Sequence, residues 1–90
     1  MLSVTSVKIY PFEAGNIRAY AEITLNDALL IRGIKILESP HGGLYLGFPA
    51  QKGREDKYRD LVEPTNNVLR DHIRRVVIDK YKEYLGQEKS

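Results

Sequence analysis

Alternation of apolar and polar residues in the first half of the chain predicts β-strands. It is most regular in Ile17–Leu25, where every odd-numbered position is apolar and most of the intervening positions are polar or charged. Side chains alternate between the two sides of a strand, so this run has one side suited to a core and one suited to water. The pattern favours an antiparallel sheet with one covered face.

Three further runs of strand-like sequence are separated from this one by short turn-forming segments. The expected strands are Val4–Phe12, Ala28–Leu37 and Leu44–Phe48. Turn residues occupy 13–16, 26–27 and 38–43, and strands joined by such short turns usually lie side by side. A further short extended segment is expected at Tyr58–Val62. We therefore predict an antiparallel sheet of four to five strands.

The spacing of apolar residues changes to three and four after Pro64, which predicts a helix from about Val68 to Leu85. Thr65, Asn66 and Asn67 are suitable N-cap residues, and Gly86 is a suitable residue to follow the last turn. The predicted fold class is thus α+β, with a long C-terminal helix after the sheet. A chain of this length builds one core, so we expect one domain over residues 1–86 and a short polar tail at 87–90.

The composition is typical of a globular protein that has no disulfide bonds and no membrane-spanning segment. The chain has 42% hydrophobic and 29% charged residues, as globular proteins do, and it has no cysteine for a disulfide or thiolate site. No apolar run approaches the roughly 20 residues that span a bilayer, and the N-terminus lacks a signal-peptide pattern. We expect a cytoplasmic protein with no membrane association. Because so small a core is marginally stable alone, dimerisation is also expected.

Candidate catalytic residues are few. His41 and His72 have no histidine partner at metal-binding spacing, and their structural interpretation is favoured. Asp60 and Glu63 lie close in sequence, but beside Arg59 they are more typical of surface ion pairs than of an acid–base pair. We therefore predict a protein that is not an enzyme and needs no metal or cofactor.

The segment 47–67 carries an unusual density of charge for a connection between a strand and a helix. Its candidate nucleic-acid contacts are Lys52, Arg54, Lys57, Arg59 and the aromatic Tyr58. The cations can bind phosphates, and Tyr58 can stack on an unpaired base. Arg70 and Arg74, one helical turn apart, can extend the basic surface.

Residues 46–90 hold ten basic and eight acidic side chains, whereas residues 1–45 hold four of each. An ordinary solvated loop is the alternative.

Five segments of the chain are distinctive when taken together. In chain order they are VTSVKIY (4–10), IRAYAEITL (17–25), LIRGIKILE (30–38), GLYLGFP (43–49) and YRDLVEPTNN (58–67). Together they resemble the SpoVG family of bacterial septation regulators. The most specific part is Phe-Pro, a charged interval, an aromatic-Arg-Asp triplet, an aliphatic pair and a Pro-x-Asn ending. Any one of these motifs is common, but their order and spacing are distinctive.

The resemblance implies an α+β homodimer that binds DNA or RNA and regulates genes, including those of sporulation and septation. It also implies that the basic loop after Phe-Pro contacts nucleic acid and that Arg59 is a contact. The loop departs from the usual Pro-Ser-Lys-Arg and Thr-Pro-Asp-Gly sequence: Gln51 replaces a Lys, Lys52 an Arg and Arg54 a Pro. The alternative function is a protein-interaction module in which the basic loop only steers a protein partner.

Overall fold

Two antiparallel sheets and one long helix make up the computed structural model, which describes residues 2–88. The elements are β1 (Val4–Ala14), β2 (Ile17–Leu25), β3 (Leu29–Glu38), β4 (Leu44–Gly47), β5 (Ala50–Lys52), β6 (Tyr58–Asp60) and α1 (Asn67–Glu88). Strands β1 to β4 form one sheet in sequential order, and β5 and β6 form a separate two-stranded hairpin. The α+β class and the four-stranded antiparallel sheet are confirmed. The predicted strand at 58–62 exists as β6, but it pairs with β5 and not with the main sheet.

The core lies between α1 and one face of the four-stranded sheet. It consists of the inward residues of β2 and β3 and one stripe of the helix: Ala19, Ala21, Ile23, Leu25, Ile31, Ile34, Ile36, Ile73, Val77 and Tyr81. The helix approaches the backbones of the two outer strands, β1 and β4. The helix therefore covers this face of the sheet.

Side chains fix both the start of the helix and its position on the sheet. The Asn66 side-chain oxygen accepts a hydrogen bond from the Leu69 N–H at 2.8 Å, so Asn66 is the N-cap among the three predicted candidates. His72 Nε2 accepts a bond from the Val4 N–H at 3.2 Å. This contact ties α1 to β1 and supports the structural interpretation of His72.

The predicted helix end is wrong. Helix α1 continues through Gly86 to Glu88, and Gly86 does not adopt the left-handed conformation of a helix-terminating glycine. A helical glycine costs roughly 1 kcal/mol relative to alanine, which the surrounding turns can offset. The first two residues of the predicted polar tail thus belong to the helix, and residues 89 and 90 lie outside the described part.

An ion pair between β2 and β3 and the buried Tyr81 lie where the core meets the last turns of α1. Arg18 Nε donates to Glu38 Oε2 at 2.6 Å, and this hydrogen bond raises the pKa of Arg18. Burial raises the pKa of Tyr81, a residue that is 6% exposed. Both groups therefore have structural roles.

We predict that two neighbouring helix residues differ sharply in their effect on stability. Ile73 is 2% exposed in the core, so Ile73→Ala should lower the free energy of unfolding by about 2–4 kcal/mol through the cavity it leaves. Arg74 is exposed, and Arg74→Ala should change it by less than about 0.5 kcal/mol. Urea denaturation measures both. Equal, small effects would show that another face of α1 packs on the sheet.

Candidate nucleic-acid interface

The charged segment predicted to contact nucleic acid folds as the β5–β6 hairpin. Its register places Lys52 opposite Tyr58 and Gln51 opposite Arg59. Residues directly opposite each other share a face of the ladder, and successive residues alternate. Lys52 and Tyr58 are therefore neighbours on one face, whereas Arg59 lies on the other. The predicted contacts do not form a single cluster but occupy two sides of the hairpin.

The hairpin projects from an anchored base. Every residue from 50 to 60 is exposed, and Tyr58 retains 73% of its accessible surface. Phe48 and Val62, which flank the hairpin, pack against the core. The Leu61 N–H donates to the Pro49 carbonyl at 2.7 Å and closes the base. The hairpin thus offers both of its faces to a partner while its two ends are fixed to the domain.

The tip of the hairpin is a tight turn in an uncommon backbone conformation. Glu55 and Asp56 have φ angles of 60° and 59°, in the left-handed region. The Gly53 N–H donates to the Lys57 carbonyl at 2.6 Å, and the Lys57 N–H donates to the Arg54 carbonyl at 3.3 Å. Two successive left-handed residues suit the twist of a β-hairpin but usually require Asn or Gly. For a residue such as Glu55 this conformation costs roughly 1–2 kcal/mol, so the paired strands and flanking anchors must hold the turn.

The lysines of the hairpin are ion-paired with the carboxylates of its own tip. Lys52 Nζ lies 3.0 Å from Asp56 Oδ1, and Lys57 Nζ lies 3.9 Å from Glu55 Oε2. All four side chains are exposed, and such pairs contribute only about 0–1 kcal/mol. A phosphate can therefore displace either carboxylate. Neither Arg54 nor Arg59 forms an ion pair with another residue in the range 2–88, so both guanidinium groups are available to an anion.

The two helix arginines differ in their engagement. The Arg70 guanidinium donates to the Pro64 carbonyl at 3.2 Å, and Pro64 is buried where the chain enters the helix. Arg70 therefore braces this entry, which sequence spacing alone does not reveal. Arg74 is exposed one turn later and is the better candidate for contact with a phosphate.

Two features of the hairpin were not predicted from the sequence: strand β5, and the ion pairs that the two lysines form with carboxylates of the turn. Glu-Asp is not a recognised hairpin turn, so nothing marked residues 50–60 as paired strands. The Lys52–Asp56 spacing of four was a signal for the ion pair, although that spacing is normally associated with helices. Both features depend on the left-handed turn.

Neither a metal site nor a spanning helix is found in the part of the chain that the structure describes. Within residues 2–88, no three His, Asp or Glu side chains come together in a group able to hold a metal ion. Over the same residues, α1 is too polar to cross a membrane. His41 is exposed in the turn between β3 and β4.

Comparison with known proteins identifies the family. The sequence profile of SpoVG matches residues 2–83, which include the whole sheet, the hairpin and most of the helix. The chain belongs to the SpoVG family. This confirms the resemblance seen in the five sequence segments.

Three SpoVG relatives show how far the similarity extends. A protein of Myxococcus xanthus named "Putative septation protein SpoVG" is 33% identical over 88 residues, which cover 96% of this chain and 86% of that protein. Proteins of the same name from Fusobacterium nucleatum and Finegoldia magna are 35% and 33% identical, over 89% and 99% of this chain and 88% and 82% of their own lengths. The shared name refers to septation and not to a catalytic activity.

We predict that neutralising Asp56 strengthens binding to nucleic acid. Asp56→Asn removes the carboxylate partner of Lys52 and keeps a residue that tolerates the left-handed turn. Affinity for a DNA duplex should rise by about two- to fivefold, the equivalent of one surface ion pair. Fluorescence anisotropy at fixed salt measures the change.

Asp79→Asn is the matched control, because Asp79 is an exposed carboxylate on α1 and its loss changes the net charge equally. The same gain in both variants would mean that net charge, and not release of Lys52, determines the affinity.

Proposed function

We propose that this chain is a homodimeric regulator that binds DNA or RNA through the β5–β6 hairpin and acts in the cytoplasm in gene control linked to septation or sporulation. The observation that carries the proposal is the anchored, fully exposed hairpin with four cations and an exposed tyrosine. Membership of a family named for septation supports the cellular setting. Binding requires no cofactor and no catalytic step.

Because both faces of the hairpin carry cations, the hairpin is suited to insertion between phosphates or along a groove of the nucleic acid. Lys52 and Tyr58 together combine a phosphate contact with a ring for stacking on an exposed base. Arg59 presents a bidentate donor on the opposite face, and Arg54 does so at the tip. An inserted hairpin can therefore contact phosphates on both sides.

Dimerisation through the sheet would make this small basic surface bivalent. Strand β1 is an outer strand of 11 residues, and an open edge of that length is normally blunted or paired. Lys8 and Pro11 lie on it as edge-protecting residues. Arg18, which also has the properties of such a residue, belongs instead to the inner strand β2. A two-fold dimer carries two hairpins, so a net charge of +2 per chain is compatible with binding.

We predict that replacing Lys52, Arg54 and Arg59 together by alanine abolishes a gel shift of DNA or RNA. For duplex DNA, each lost phosphate contact should reduce the slope of log affinity against log salt by about 0.9. All three side chains are exposed, so the melting temperature should change little. Salt titrations by anisotropy measure the slope, and light scattering should show the dimer for both proteins.

Replacing Arg75, Lys80 and Lys82 of α1 by alanine removes the same charge from exposed positions outside the hairpin and is the matched control. The control protein should keep most of its affinity. If the hairpin variant binds as tightly as the parent with the same salt slope, the hairpin is not the contact and the protein-interaction module becomes the better function.

A further inference from the structure

A second surface suited to nucleic acid lies on the face of the four-stranded sheet opposite α1. Tyr10, Tyr20 and Lys35 are direct partners across β1, β2 and β3, so their side chains form one row. The Phe12 ring lies 5.3 Å from the Tyr20 ring at an angle of 51°. Three aromatic rings and a cation therefore occupy adjacent positions on this face, which we call the aromatic face.

The rings of the aromatic face are both accessible and held in place. Tyr10 is 46% exposed and Phe12 is 50% exposed, whereas Tyr20 between them is half-buried. The Tyr10 hydroxyl donates to Glu22 Oε2 at 3.3 Å, which holds the Tyr10 ring. The rings of Phe12 and Tyr20 hold each other by direct contact. Rings that are already ordered lose little conformational entropy when a flat partner stacks on them.

Charge on this face favours an anionic partner. In the described strands its outward positions carry the cations Lys8, Arg32 and Lys35 and a single carboxylate, Glu22. Arg32 Nε lies 3.3 Å from Glu22 Oε1, so this carboxylate is already paired. The face therefore has a surplus of two positive charges beside exposed rings.

We propose that the aromatic face binds an unpaired stretch of single-stranded nucleic acid, with bases stacked on Tyr10 and Phe12 and phosphates beside Lys8 and Lys35. The inference rests on the proposed function and deepens it by naming the class of substrate. Bases in a duplex are stacked on each other and cannot lie on a flat protein face, whereas unpaired bases can. The hairpin then supplies the electrostatic contact with the backbone, and the aromatic face supplies the preference for single strands.

A second copy of the chain is a poorer occupant of the same face. A two-fold contact places each surface against its own copy. It would therefore bring two faces with surplus positive charge together, and the available carboxylates are already paired with Arg32. Like charges brought together in this way oppose association. Phosphates, in contrast, neutralise the surplus.

Strand propensity alone also favours aromatic residues on a sheet, but it makes a different prediction. If the rings only stabilise strands, their removal will lower stability without distinguishing between single-stranded and duplex ligands. If they stack on bases, their removal will weaken single-strand binding selectively. The ratio of the two affinities separates these roles.

The test compares the parent with a Tyr10→Thr/Phe12→Thr variant, in which threonine preserves strand propensity. The ligands are a fluorescent oligo-thymidine strand of about 15 nucleotides and a duplex of the same length. We expect the threonine variant to lose roughly tenfold or more in single-strand affinity, since each stacked base contributes substantially. Its duplex affinity should stay within about twofold of the parent, because the phosphate contacts of the hairpin remain.

The double variant Tyr10→Phe/Phe12→Tyr keeps an aromatic ring at both positions and should retain the single-strand affinity of the parent. Lys35→Gln should weaken single-strand binding more than Lys82→Gln, which removes the same charge from α1. Melting temperature and light scattering monitor the fold and the assembly of each variant.

Three outcomes would overturn the inference, and they are distinguishable. A parent that binds neither ligand refutes the proposed function itself. Unchanged single-strand affinity in the threonine variant refutes the role of the aromatic face and leaves the hairpin function standing. A dimeric parent with a threonine variant that is monomeric, and whose single-strand and duplex affinities fall equally, shows that these β1 residues serve the dimer and not the ligand.

Discussion

Burial of one sheet face by a single helix is the constraint on which the rest of this structure depends. The inward side chains of β2 and β3 are almost completely withdrawn from water only because Ile73, Val77 and Tyr81 lie against them. A chain of this length has apolar residues enough for one such layer. The opposite sheet face and the β5–β6 hairpin are therefore left outside the core, and their residues are available for other roles.

The hairpin shows how this core supports a charged surface. Phe48 and Val62 anchor the two ends of the hairpin, and β5 and β6 pair over only three residues each. Between them the turn holds Glu55 and Asp56 in the left-handed conformation, which glutamate disfavours. The result is a defined backbone position for Arg54 and Arg59, together with lysines whose weak ion pairs a phosphate can replace. The strain in the turn is thus offset by the packing of Phe48 and Val62 against the core.

The sequence predicted those elements whose residues carry their own periodicity. The bounds of β2 agree at both ends because the alternation in Ile17–Leu25 is uninterrupted. The hairpin was only half predicted, since β5 is short and the Glu-Asp turn has no recognised signature. Gly86 was misread because a helix can continue through glycine when its earlier turns are well packed. The engagement of Arg70 with the Pro64 carbonyl depends on how the chain enters the helix, and spacing does not encode it.

The same distinction applies to function. Candidate cations of the hairpin could be chosen from composition and resemblance, but their division between two faces follows from the strand register. The row formed by Tyr10, Tyr20 and Lys35 was invisible in the sequence because its members are 10 and 15 residues apart and meet only through pairing of three strands. Sheet register, more than residue type, determines which side chains can share a ligand.

The central claim is that nucleic acid contacts the β5–β6 hairpin and the face of the four-stranded sheet opposite α1. An amide-resolved NMR titration of the isotope-labelled protein with an oligo-thymidine strand tests it most directly. The account predicts that shifts concentrate in residues 50–60 and at the outward positions of β1 to β3, while amides around Ile73 and Val77 stay unchanged. Shifts confined to the exposed side of α1, or no shifts at low salt, would contradict it.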